Sequence, residues 1–254
     1  MNFAPYLLAL LTFSQGPKLK PGPGHAVVLT YHDVIERRDA KALWFDCTTE
    51  ELKSQLDWMK KQGVHFITLD QLYTHLTGGT ALPSKAVAIT FADNYLGFWN
   101  HAYPILSARH IPVAMFVHTG YVGDTAHGRP KMGWDKLRSL DRDGLVTIAS
   151  QTVSHPADLG LLSQDTQWTE LTTSKATLER MLGHTIRYLA YPNGKFSLIS
   201  EQLAKRAGYL MAFSEVTRPA EPSPGIFAVN RYVHTKYKSA VAAIGRERSS
   251  TSRR

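Results

Sequence analysis

Ala26-Val27-Val28-Leu29-Thr30-Tyr31 is an apolar, β-branched run that passes directly into His32-Asp33. A run this short and this apolar predicts a strand buried on both faces. Similar runs recur at Ala86–Phe91, Val113–Val117, Val146–Ala149, Tyr188–Tyr191, Tyr209–Phe213 and near Val229–Val233, with a shorter one at His65–Thr68. Amphipathic stretches separate them. Thr48 to Gln62 reads as a helix, opened by a Thr48–Glu51 capping box and stopped at Gly63. Further helices are predicted at Tyr95–His110, Trp134–Arg142, Ser163–Leu182, Leu198–Ala207 and from beyond Val233 to about Ile244. Seven or eight βα repeats in 254 residues predict an α/β fold, a distorted (β/α) barrel, rather than an open sheet. The first strand carries no Gly-rich dinucleotide loop after it.

The ends of the chain differ from this middle. Residues 1–15 hold an apolar run of signal-peptide length, too short to span a bilayer, which takes about 20 residues. Residues 16–24 are rich in Pro and Gly and read as an exposed linker. The last ten residues, 245–254, are Arg-rich and aperiodic and read as a basic disordered tail. The expected division is therefore 1–24 signal segment and linker, 25–244 barrel, 245–254 tail. The net charge of +8 suggests a polyanion partner at first. Setting aside Lys18, Lys20 and the tail leaves 23 basic and 20 acidic residues over 21–244. With no zinc-finger spacing or Arg-rich helix, nucleic-acid binding is excluded as an expectation. A single cysteine, Cys47, excludes an intramolecular disulfide. Nothing in the sequence points beyond a monomer.

Chemistry in such barrels sits just past the C-terminal ends of the strands. That rule selects His32 and Asp33; Ala92, Asp93 and Asn94; His118; Ser150, Gln151 and His155; Pro192, Asn193 and Gly194; and His234. Taken alone, Asp93 reads as a loop or N-cap aspartate and His155 as a surface histidine. Trp99, Tyr121 and Trp134 could stack on sugar rings, though their spacing also suits the core. Arg187 could orient a catalytic group or form a surface ion pair, and Asp135 belongs on a helix surface.

Three stretches carry a resemblance: Thr90-Phe91-Ala92-Asp93-Asn94, Ser150-Gln151-Thr152-Val153-Ser154-His155-Pro156 and Ala190-Tyr191-Pro192-Asn193-Gly194. In this order, with Leu29-Thr30-Tyr31-His32-Asp33-Val34 before them, they resemble the polysaccharide deacetylase family with the NodB homology domain (carbohydrate esterase family four). The style is nearest to biofilm poly-N-acetylglucosamine deacetylases. The resemblance spans roughly residues 26–235 and implies a secreted or cell-envelope hydrolase that removes N-acetyl groups from a polysaccharide. It implies a divalent metal, zinc above all, held by one Asp and two His, a second Asp as general base, a late His as proton donor and a backbone N–H at the oxyanion.

Carried over residue by residue, Asp93 falls on the metal-ligand Asp and His155 on the second metal His. Ala92 stands where the family has its base, and Gln151 where it has the first metal His. Asn94 replaces a Gly. The resemblance assigns the oxyanion N–H to Asn193 and the proton donor to His234, and puts His32, Asp33, Tyr191 and Pro192 near substrate. A structural turn at Tyr31-His32-Asp33, or a substitute base or ligand from it, remains open. Alanine accepts no proton, and an amide oxygen is a weak zinc ligand. The sequence therefore predicts the deacetylase fold with a weak metal site and little activity, or a non-catalytic carbohydrate-binding protein on the same barrel.

Overall fold

The repeat pattern of the sequence is realised in a computed structural model that describes residues 18–245. The signal-like run and all but the first residue of the basic tail lie outside the described residues. In chain order the elements are β1 (Ala26–Tyr31), β2 (Val34–Ile35), β3 (Cys47–Thr48), α1 (Thr49–Lys61), β4 (His65–Ile67), α2 (Leu69–Gly78) and β5 (Ala86–Phe91). A π-helical turn, Phe98–Ala102, then leads into α3 (Tyr103–Ala108). Next come β6 (Val113–Val117), α4 (Trp134–Asp143), β7 (Val146–Ser150), α5 (Gln164–Leu182), β8 (Tyr188–Ala190), α6 (Leu198–Arg206), β9 (Met211–Phe213), β10 (Tyr232–Val233) and α7 (Tyr237–Gly245).

The main sheet is parallel, in the order β10-β1-β5-β6-β7-β8-β9, with β4 also on β5. The segment between β9 and β10 draws the two ends together, because Ser214 N donates to Val229 O and Val229 N donates to Ala212 O, each at 2.9 Å. The result is the curled (β/α) barrel the repeats predict. Its interior face follows from register. Thr30, Thr90 and Ala114 lie side by side on β1, β5 and β6, and Phe116 lies beside Ala149. Phe116 and Phe213 come from strands that are not neighbours, yet their rings meet at 5.5 Å. That contact is possible only across the barrel. Side chains two residues apart on a strand share a face, so Ala92, Gln151 and Glu215 continue this interior face at the mouth.

The helices follow local signals. At α1, Thr48 Oγ1 accepts from Glu51 N at 3.1 Å and the Glu51 carboxylate accepts from Thr48 N at 2.8 Å. Thr48→Ala removes one half of this box and should cost about 1 kcal/mol, read by urea denaturation. A loss below about 0.3 kcal/mol would show that tertiary packing alone holds this end. The same device, Thr68 with Gln71, opens α2.

Three expectations are corrected. The helix from Tyr95 begins later, as the π-helical turn, because the Asp93-Asn94 bend and a bridge between Tyr95 and Lys131 use the first residues. α2 is a helix that the periodicity reading passed over. The Pro/Gly segment is docked rather than free: Lys20 N donates to Leu76 O at 2.8 Å and Gly22 N to His75 O at 3.1 Å. Only glycine fits at 22, since a Cβ there would fall 2.2 Å from Gly79 O. The barrel unit thus reaches back to about Lys20.

Candidate active site at the barrel mouth

The mouth is built by three loops that leave β5, β7 and β8. Each turns through a left-handed backbone at non-glycine residues: Asp93 (φ 67°) and Asn94 (38°), Thr152 (69°) and His155 (52°), and Asn193 (52°). Such strain persists only where the surroundings over-determine it, and it clusters at functional sites. Asp93 follows interior-facing Ala92, and its left-handed turn breaks the strand alternation and redirects its carboxylate. Its backbone is locked on both sides. Asp93 O accepts from Lys131 Nζ and from His118 Nε2, both at 3.0 Å, while Asp93 N donates to Gln151 Oε1 at 2.9 Å.

The Asp93 carboxylate faces the second loop. Oδ1 lies 3.5 Å from His155 Nε2 and accepts no hydrogen bond. Burial opposes ionisation here, but the surrounding His32, His155, His118 and Lys131 hold the carboxyl below the usual range. Burial pulls the His118 imidazole down to about 4 and the Lys131 amine to about 8. Lys131 also sits 3.4 Å above the Tyr95 ring. In the third loop the turn hydrogen bonds are donated by Gly194 and Lys195, to Tyr191 O and Pro192 O. Asn193 Nδ2 reaches back to Ala157 O at 3.1 Å.

The polysaccharide deacetylase family model matches residues 79–212, which contain all three loops. The chain belongs to the polysaccharide deacetylase family. It is 27% identical over 237 residues to the poly-β-1,6-N-acetyl-D-glucosamine N-deacetylase of Staphylococcus aureus, covering 84% of this chain and 80% of that one. Among solved structures it resembles IcaB from Ammonifex degensii with a TM-score of 0.77 and 25% identity, over 88% of this chain and 98% of that one. It shares its fold with the Streptococcus pyogenes deacetylase PplD, TM-score 0.77 and 24% identity, over 87% and 99%.

The residues of this deacetylase-family chain do not fit the three-donor metal site that the resemblance implies. Asp93 and His155 converge, but an N–H can only donate, so the Gln151 amide oxygen is the atom committed to Asp93 N. The lone pair left on that oxygen belongs to a neutral amide, a weak zinc ligand, and the NH2 group offers a cation nothing. No cluster of three His, Cys, Asp or Glu able to hold a metal occurs among the described residues. Ala92 is fully buried and presents a methyl group.

Of the other assigned residues, His32 stays beside Asp93 and the rest are held elsewhere. His32 is half-buried at the rim, its ring 4.9 Å from Phe45, and its Nδ1 accepts and donates nothing. Asp33 is tied into an ion pair: it accepts from Arg129 Nη1 at 3.0 Å, beside fully buried Asp46, which takes the same guanidinium. Tyr191 is fully buried against Phe196, ring centroids 4.6 Å apart, and Pro192 is buried beside it, so neither offers a surface to substrate. His234 stacks on Tyr31 at 4.8 Å, and Tyr31 donates its OH to Gln55 on α1. That places His234 between the barrel wall and α1. Burial also pulls its imidazole down to about 4. Trp99 and Trp134 are partly buried against the core, and Arg187 pairs with Asp70 at the surface.

Lys131, Glu215 and Arg231 escaped the sequence reading. Glu215 is within reach of the strand-end rule, since it stands two residues past β9. Lys131 and Arg231 meet the mouth only through tertiary folding.

Proposed function

We propose that this chain binds an N-acetylglucosamine-containing polysaccharide across the barrel mouth at the cell envelope and removes its N-acetyl groups only slowly. The observation that supports slow chemistry is the pair of substitutions at Ala92 and Gln151: no carboxylate at the one, and at the other an amide oxygen already accepting from Asp93 N. Asp93 and His155 are left as a two-residue remnant of the metal site, and the Asn193 N–H serves the oxyanion. A non-catalytic carbohydrate-binding role is the second reading, favoured by the same pair.

Carbohydrate binding has its own support at the rim. Trp44 is 70% exposed, meets Phe45 edge-on at 5.6 Å, and Phe45 in turn meets His32. An exposed indole backed by a second ring suits the C–H face of a sugar. Titration calorimetry with N-acetylglucosamine oligomers should show binding, and Trp44→Ala should weaken it about tenfold, roughly 1.4 kcal/mol. No heat of binding to any oligomer would sink this reading. Acetate release measured on the same samples separates the slow enzyme from the pure binder.

A further inference from the structure

We infer that Glu215, anchored by Arg231, acts as the proton acceptor of this mouth in place of the carboxylate missing at Ala92. The inference takes its substrate from the reading above; its geometry is independent. Arg231 is fully buried. Its Nε donates to Ser214 O at 2.9 Å, and neither terminal nitrogen makes a hydrogen bond. Its guanidinium lies 5.3 Å from the Phe116 ring and 5.8 Å from that of Phe213. Phe116 follows Met115, the register partner of Phe91, so it stands beside Ala92. A buried cation therefore reaches the level of the family's base, where this chain has only a methyl group.

A buried charge without a partner costs several kcal/mol. The carboxylate that answers Arg231 is Glu215, with Oε1 at 3.5 Å from Nη2 and a side chain 27% exposed, open to solvent. Glu215 comes from the β9 end, across the mouth from β5. It lies directly against the oxyanion loop: a Cβ on Gly194 would fall 2.5 Å from Glu215 N and 2.7 Å from its Cβ. Gly194, at φ 64°, is therefore what lets Glu215 stand next to Asn193.

The reaction closes without a further reactant. The Glu215 carboxylate takes a proton from water as the water oxygen bonds to the acetyl carbonyl carbon, and the carbonyl electron pair moves onto oxygen, held by the Asn193 N–H. The C–N bond then breaks with its pair going to nitrogen, which takes the proton back from Glu215. The products are acetic acid, which ionises to acetate, and the free amine. Glu215 is regenerated as a carboxylate.

The test is acetate release and oligomer binding by the chain as it stands, and by Glu215→Gln and Glu215→Asp, each also followed by thermal melting. Glu215→Gln should lower acetate release by about 10²-fold or more while oligomer affinity stays within threefold, and Glu215→Asp should keep part of the activity. Unchanged release in Glu215→Gln overturns the inference, as does release by the unaltered chain no higher than the blank. Parallel loss of release, affinity and melting temperature also overturns it, since a merely structural partner of Arg231 behaves that way. If oligomers bind and Glu215→Gln releases acetate normally, the inference fails and the proposed substrate stands. If no oligomer binds, the substrate reading is what fails.

Discussion

Ala92→Asp combined with Gln151→His should raise acetate release from N-acetylglucosamine oligomers by about 10²–10⁴-fold over the unaltered chain. An aspartate at 92 would put the acceptor on β5, next to Asp93 and the metal it would help hold, whereas Glu215 serves from across the mouth. The second change replaces an amide already bonded to Asp93 N by an imidazole, giving Asp93 and His155 a third donor. Zinc content should rise in the same sample from well below one per chain toward one, because an imidazole binds zinc where a neutral amide does so weakly. Each single variant should recover less than the pair, since base and metal act on the same water. Stoichiometric zinc and ready turnover in the unaltered chain would refute the impairment. An inert double variant would mean that divergence extends beyond these two positions. The shared α/β barrel and the position of Ala92 at the end of β5 favour an intact scaffold.

Arg129→Met should lower stability by about 3–5 kcal/mol, because it leaves two buried carboxylates facing each other. Asp46 is fully buried and Asp33 is 6% exposed. Arg129 bonds both, and its Nη2 also donates to Lys41 O at 2.9 Å. The guanidinium thus ties the end of β1, the 34–46 loop and the loop before α4 into one unit. Burial pushes the Asp33 carboxyl up, and Arg129 offsets part of that rise. At roughly 2–4 °C per kcal/mol for a chain of this size, the melting temperature should fall by about 6–20 °C. Adding Asp33→Asn and Asp46→Asn to Arg129→Met should return part of the loss, since no bare carboxylate then remains. A single variant that melts within about 2 °C of the parent would refute the assigned role of Arg129.

The fold was legible because its signals are local. β1 and β5 are continuous apolar runs, buried throughout, and α1 carries its cap in the four residues Thr48–Glu51. α2 carried the same cap at Thr68–Gln71, but it is only 10 residues long and a buried His75 interrupts its leucine stripe, and so it was overlooked. The site was legible only where a motif could be matched: Asp93, His155 and Gln151, from separate motifs, come together at the mouth beside Ala92. The positions held elsewhere share a cause. Asp33 and His234 follow strands as catalytic residues do, yet the side on which each emerges depends on partners 96 residues away at Arg129 and at Tyr31 on β1. Arg231 reads in sequence as an ordinary cation before a short strand. Only the chain's path past Phe116 and Phe213 makes it the buried charge of the mouth.

The placement of β1 also dictates the order in which the molecule can be completed. β1 lies between β5 and β10, the latter about two hundred residues later in the chain, with Leu29 paired to Tyr232. A contact this remote carries a large loop-closure cost before it stabilises anything, which slows folding. During synthesis every other strand can assemble while one flank of β1 still exposes unpaired backbone, the kind of edge that recruits other chains. The two-residue β10 is thus a late-arriving latch. A ribosome that stalls before Tyr232 leaves a nearly finished barrel with a sticky seam.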